Sequence, residues 1–250
     1  MDTVVKCDGV SVNYGQDEVI KGITFSLKKS DFVGFVGPNG AGKTTLVKAL
    51  LRLIPISAGK IYLFGKEQSQ FSDWYKIGYL PQKFSSVNIL FPASVEEVVS
   101  LGLLSLKKNP KIITLKDRKK IEQTLLELGI INLKDRLFFQ LSGGQGQRVM
   151  LARALVSEPE ILIFDEPSAA LDPDARKDFF TLVKKLNKEK KITVIIVTHD
   201  TGYIGAYANK LLYLDQKLIY FGSISDFCPS EKIGHYFEKS DQHVIWHQHQ

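Results

Sequence analysis

Gly37-Pro38-Asn39-Gly40-Ala41-Gly42-Lys43-Thr44-Thr45 is the stretch whose reading decides the fold. From Gly37 to Thr44 it fits G-x-x-x-x-G-K-[ST], the pattern of a phosphate-binding P-loop. Ahead of it, Phe32-Val33-Gly34-Phe35-Val36 is a short apolar run that reads as a buried strand. Behind it, Thr45-Leu46-Val47-Lys48-Ala49-Leu50-Leu51-Arg52-Leu53-Ile54 spaces its apolar residues as a helix does. The first-turn N–H groups of such a helix have no partner within it, so a loop between strand and helix is a ready anion site. Gly37, Gly40 and Gly42 let the backbone come close to phosphates. Lys43 adds a full positive charge for the β- and γ-phosphates, and the hydroxyl of Thr44 suits Mg²⁺. The ATP-binding set predicted here is Gly37, Pro38, Asn39, Gly40, Ala41, Gly42, Lys43, Thr44 and Thr45.

The rest of the composition bounds what such a loop serves. At 250 residues, 44% apolar and 24% charged, the chain is long enough for one compact domain with a core and a lobe. No apolar run reaches the ~18 residues of a membrane span. Met1-Asp2-Thr3-Val4-Val5-Lys6 lacks the apolar core of a secretory signal. Cys7 and Cys228 are far apart and need not pair, which fits a reducing cytosol. The net charge of +6 permits an anionic partner without demanding one. The runs at Lys116–Lys120 and Lys184–Lys191 sit in helical patterns and read as solvated faces.

In chain order, Val10–Tyr14 and Val19–Leu27 alternate as strands across a Gly15-Gln16-Asp17 turn, a meander leading into the P-loop strand. Tyr14 follows a strand and precedes a glycine, where an aromatic either stacks on adenine or is a half-buried strand tyrosine. Gly59–Gly65 and Ile77–Leu80 are further strands, the latter ending at Pro81-Gln82. From Lys83 to Gln140 helical periodicity takes over, in Ser94–Leu104 and Asp117–Leu128, as an inserted helical lobe. Leu141-Ser142-Gly143-Gly144-Gln145 opens a helix predicted over Gly146–Val156. Ile161–Phe164 is a buried strand ending in Asp165-Glu166-Pro167, and a helix follows over Asp174–Lys190. Ile192–Val197 ends in Thr198-His199-Asp200. Leu211–Leu214 and Lys217–Phe221 read as an antiparallel pair, and the tail from Ser223 is polar. Strands alternating with helices imply a parallel sheet, with ligand chemistry at the carboxyl ends of its strands. The P-loop, Asp165-Glu166 and His199 each follow directly after a predicted strand.

Asp165 at the end of an apolar strand is placed to hold Mg²⁺, and Glu166 beside it to polarise a water for attack on a γ-phosphate. The Gln82 amide can coordinate Mg²⁺ or orient water, and His199 can hydrogen-bond a γ-phosphate oxygen. Each of these two alone would also serve as an ordinary structural residue.

Taken together and in order, Gly37–Thr45, Gln82, Leu141–Gln145, Ile161–Pro167, Ala170-Leu171-Asp172 and His199 resemble an ABC transporter ATPase subunit. They match its Walker A motif, Q-loop, LSGGQ signature, Walker B motif, D-loop and switch histidine. The resemblance spans essentially the whole chain, and the signature is its most specific part. It implies an α/β P-loop NTPase, RecA-like, with a parallel sheet core, an N-terminal antiparallel β subdomain and an inserted helical subdomain. Residues 1–250 would then form a single ATPase domain, with a signature-bearing helical lobe at about 83–158 and a polar tail at 223–250. Catalysis is expected of Glu166, His199 and Gln82, and Mg²⁺ ligation of Thr44, Gln82 and Asp165. Tyr14 gains support as the adenine-stacking aromatic. The resemblance also implies a head-to-tail homodimer in which Leu141, Ser142, Gly143, Gly144 and Gln145 of one chain cap the ATP of the other, with Asp172 in the D-loop. A separate integral membrane permease is implied, with an extracytoplasmic metal-binding protein beyond it, and no nucleic acid. The place is the cytoplasmic face of the bacterial inner membrane.

Gly78-Tyr79-Leu80-Pro81-Gln82 and Phe91-Pro92-Ala93-Ser94-Val95-Glu96-Glu97-Val98-Val99 resemble the zinc/manganese importer branch. Import of iron–siderophore, haem or cobalamin is the alternative. A soluble ABC protein acting on ribosomes or DNA is disfavoured, because there is one P-loop and only 58 residues separate Gln82 from Leu141. Four of the five histidines, His235, His243, His247 and His249, lie in the last sixteen residues. His243, His247 and His249 are candidate zinc ligands; the other reading is a polar tail without a site.

Overall fold

In the computed structural model, residues 2–82, 92–167, 171–199 and 201–227 are described. Ala170, Phe91, Cys228 and the tail histidines lie outside them. Along the chain come β1 (Thr3–Tyr14), β2 (Asp17–Lys28), β3 (Phe32–Val36), α1 (Lys43–Leu50), β4 (Ala58–Leu63), β5 (Lys66–Glu67) and β6 (Ile77–Leu80). Next are α2 (Val95–Ser100), α3 (Leu115–Glu127), α4 (Gly143–Leu155), β7 (Ile161–Asp165) and α5 (Pro173–Lys190). The last are β8 (Thr193–Val197), α6 (Thr201–Gly205), β9 (Lys210–Asp215) and β10 (Lys217–Ser223). The class is α/β. Two compact units divide this order, one formed by the chain up to Phe71 together with the part from Thr193 onward, the other by Ser72–Ile192.

The first unit holds two sheets. β1 pairs antiparallel with both β2 and β4, and β5 extends β4. The meander expected to lead into the P-loop strand is therefore a sheet of its own, in the order β2-β1-β4-β5. The second sheet places β3 between β8 and β9, parallel to both, with β10 antiparallel on β9. β3 and β8 are buried along their whole length, as continuous apolar runs with both faces covered must be. Phe25 of β2 meets Phe35 of β3 edge to face at 5.7 Å and Phe221 of β10 at 5.6 Å, so aromatic packing joins the two sheets. Asp31 and Lys210, at the starts of β3 and β9, pair at 2.7 Å. α1 ends at Leu50 rather than running to Ile54, because Arg52 turns to a φ of 56° that no helix continues.

In the second unit β6 and β7 run parallel, from Ile77 opposite Ile161 to Leu80 opposite Phe164. α4 lies so close to β6 that a β-carbon on Gly78 would come within 2.9 Å of the Ala154 carbonyl oxygen. Phe179 of α5 meets Phe164 of β7 edge to face at 5.4 Å. The helical periodicity predicted over Ser94–Leu104 resolves into α2 and a tighter 3-10 turn at Leu101–Leu106. A side chain at Gly102 would strike the Arg153 carbonyl oxygen at 2.0 Å, so this segment packs backbone to backbone on α4.

Candidate nucleotide site

The P-loop leaves β3 and enters α1 through Gly42, whose φ of 94° is the left-handed region open to glycine. Gly42 offers no side-chain cap, and the first helical bond runs from the Leu46 N–H to the Gly42 carbonyl at 2.8 Å. A helix N-terminus capped by glycine rather than by a side chain is the arrangement an anion meets. Lys43 is buried, and its Nζ donates to the carbonyls of Gly37 at 2.7 Å and Pro38 at 2.8 Å. The ammonium folds back over the loop that would hold the phosphates. Among the described residues nothing lies within 4 Å of where a Gly40 side chain would be. That open space, with the lysine and the helix terminus, fits a polyphosphate.

β8 ends beside the same loop. The Thr198 N–H donates to the Phe35 carbonyl at 3.1 Å, which places His199 two residues past Val197, the end of β8 that pairs with Phe35. Tyr14 is the last residue of β1, opposite Asp17 at the tip of the β1–β2 hairpin, and is 49% exposed, a position compatible with either a stacking aromatic or a half-buried strand tyrosine.

The second unit carries the carboxylates. Asp165 closes β7 and is buried. Glu166 follows with a φ of 49°, a left-handed conformation that a non-glycine residue keeps only when its surroundings hold it. Gln82, just past the end of β6, donates from Nε2 to Glu166 Oε2 at 2.7 Å. The parallel pairing of β6 and β7 brings these two residues to adjacent strand ends. Tyr79 of β6 has its phenol pushed up to about 12, by burial and by the Asp165 carboxylate.

The signature is the start of α4. Ser142 is its N-cap, accepting from the Gln145 N–H at 3.3 Å, while Gln145 Oε1 accepts from the Ser142 N–H at 3.1 Å. This capping box starts the helix at Gly143, three residues before the predicted start. Gly143 and Gly144 occupy its first turn, and Leu141 precedes the cap. Asp172 caps α5, accepting from the Ala175 N–H at 2.9 Å. A residue missed in the sequence is Gln147, which is buried in α4 and donates through Nε2 to the Pro167 carbonyl. Its signal was a glutamine in the apolar part of a helix, one and a half turns past the cap.

A P-loop on a parallel strand, a buried strand-end aspartate and a helix-capping serine within a glycine-rich turn define a nucleotide-binding α/β protein of the P-loop class. The profile of the ABC transporter family matches residues 20–169. The zinc uptake system ATP-binding protein ZurA of Listeria innocua is 37% identical over 227 residues, covering 91% of this chain and 88% of that protein. The manganese transport system ATP-binding protein MntB of Bacillus subtilis is 38% identical over 221 residues, 87% of this chain and 86% of that one. A solved dimeric bacterial ABC transporter cassette superposes with a TM-score of 0.75 at 28% identity, covering 88% of this chain and 98% of that one. The chain belongs to the ABC transporter family, as an ATP-binding and ATP-hydrolysing transporter subunit. Among the described residues no helix is long and apolar enough to cross a membrane.

Proposed function

We propose that the chain powers import of a divalent metal ion, zinc first and manganese second, through a separate membrane permease. The observation that carries its chemistry is the bond from Gln82 Nε2 to Glu166 Oε2 at 2.7 Å, which joins a metal-ligand amide to a general base. The transport branch rests on the likeness to zinc and manganese uptake subunits. Import of iron–siderophore, haem or cobalamin is the second reading.

In this reading Lys43 and the α1 N-terminus hold the phosphates of ATP, and Tyr14 stacks on the adenine. The oxygen donors Thr44, Gln82 and Asp165 suit a hard cation and would hold Mg²⁺; Gln82 fits because its amide nitrogen is engaged by Glu166 while its oxygen is the ligand end. Mg²⁺ offsets phosphate charge when bound. Glu166 accepts the proton of the attacking water, and the Gln82 amide keeps that carboxylate aimed. His199 donates to the γ-phosphate and registers its loss. Ser142, Gly143, Gly144 and Gln145 present a helix N-terminus to the ATP of a second copy, so one P-loop and one signature per chain make the homodimer the working unit. ATP closes the pair and hydrolysis opens it. The subunit sits at the cytoplasmic face of the cell membrane, with a metal-binding protein delivering cargo from outside.

Glu166→Gln tests the chemistry. An amide cannot take the proton, so hydrolysis should fall on the order of 10²–10⁴-fold, and the variant should accumulate as an ATP-bound dimer on gel filtration. Monomers alone under Mg-ATP would reject the dimer. Zinc and manganese accumulation in cells lacking the gene tests the cargo. Undiminished uptake under scarcity, with no redundant importer, would reject metal import.

A further inference from the structure

Glu166 is held from two sides. Gln82 grips its carboxylate, and the turn behind it is gripped by Gln147, whose Nε2 donates to the carbonyl of Pro167. Three observations set this second grip apart from routine packing. Gln147 is 1% exposed, in a helix whose other buried residues around it, Val149, Met150, Leu151 and Ala152, are apolar. Its Oε1 has no hydrogen-bond partner among the described residues, although an unpaired buried acceptor is costly. Among the described residues the hydrogen bond this side chain makes is the one its Nε2 donates to Pro167. The peptide it holds follows directly on Glu166, whose φ of 49° needs external support.

The helix that carries Gln147 is also the one that begins at Ser142. We infer that Gln147 is a positioning residue, tying the signature helix to the turn that sets the general base of the same chain. The inference rests on the roles given above to Glu166 and to the signature. Its consequence is a link between two ATP molecules. The signature end of α4 faces the ATP of the partner, and the Gln147 end sets hydrolysis of the chain's own ATP. A shift of α4 when the partner's nucleotide is captured passes through one donor to Pro167 and so to Glu166. A helix is stiff along its axis, and the distance from Ser142 to Gln147 is five residues, about 7.5 Å of rise. Coupling between the two sites should then depend on Gln147.

The test compares Gln147→Met and Gln147→Glu with wild type in the assembled transporter, or in the ATP-driven dimer. Methionine keeps the volume and removes the donor. Small displacements of a catalytic group can cost on the order of 10²-fold. We expect kcat to fall by about that factor with KM for ATP unchanged, and the Hill coefficient for ATP to drop toward 1. Glutamate supplies a sharper readout. Ionised, it has no donor for the Pro167 carbonyl; protonated, its O–H replaces the lost N–H. Burial raises a carboxyl pKa, so the ratio of Gln147→Glu to wild-type activity should climb as pH is lowered from about 8 to about 6, whereas the Gln147→Met ratio stays flat. A kcat within twofold of wild type for the methionine variant, or a flat glutamate ratio, overturns the inference. Where the methionine variant fails to fold, the glutamate ratio decides alone. Glu166→Gln run in parallel separates the two levels. If it loses turnover while Gln147→Met keeps it, this inference fails and the role of Glu166 stands. If Glu166→Gln keeps turnover, both fall.

Discussion

Lys43 shows how much a single side chain does in the loop. Its Nζ donates to the Gly37 and Pro38 carbonyls, so the cation proposed to meet phosphate also fastens the loop. Nucleotide binding is then an exchange, in which ammonium donors move from carbonyl oxygens to phosphate oxygens. Lys43→Ala is expected to abolish ATP turnover and also to lower the melting temperature, since the buried Gly37 carbonyl loses this donor, at a cost of about 1–3 kcal/mol. Hydrolysis assays with a thermal melt check both, and a variant turning over ATP at the wild-type rate would remove the P-loop assignment. Lys43 was legible because its neighbours in sequence are its neighbours in space. Gln147 was not, since its partner Pro167 is twenty residues away and only the fold of α4 against the β7 turn brings them together.

Element ends in the second unit are fixed by small reciprocal caps. Thr114 accepts from the Asp117 N–H at 3.3 Å, and Asp117 accepts from the Thr114 N–H at 2.7 Å. The same carboxylate pairs with Lys107. Lys107 above all, then the Thr114 hydroxyl and N–H, holds the Asp117 carboxyl down at about 2. Folding thus favours the ionised form. The stabilisation is complete above the ordinary carboxylate range and fades as pH falls through that range toward about 2. Asp117→Asn should cost about 1 kcal/mol at neutral pH, and the gap to wild type should narrow as urea midpoints are taken from pH 7 down to about 3. A gap independent of pH would show that the charge does nothing there. These caps also explain where sequence periodicity stopped short. The helices predicted at Gly146 and Asp117 begin at Gly143 and Leu115, because the first turn of a capped helix is polar or glycine-rich and carries no apolar stripe.

Over the whole molecule, every strand of the sequence reading has its counterpart, but the partner of each strand does not follow from chain order. β1 pairs with β4 as well as with β2, and β3 lies between β8 and β9. Pairing is settled by which apolar faces cover one another, and local periodicity carries no record of that. The histidine tail belongs to this scale as well: if its candidate zinc ligands sense metal in the cell, they act on the assembled transporter. Truncation after Glu238 removes His243, His247 and His249, and should abolish inhibition of ATPase activity by added zinc. In the full chain that inhibition should fade below about pH 6, where imidazole is protonated. Identical zinc curves for both forms would leave the tail without a sensing role. A last consequence concerns which changes the molecule can undergo over evolutionary time. A side chain at Gly34 would meet only side-chain atoms, of Ile204 and Leu211, so a second substitution there can make room. At Gly37 the obstacle is the Leu214 carbonyl oxygen, 1.9 Å away, on a backbone with a φ of 144°. Every amino acid at position 214 brings the same oxygen. Gly37 therefore has no compensating mutation, and a lineage that loses it can recover the loop only by reverting.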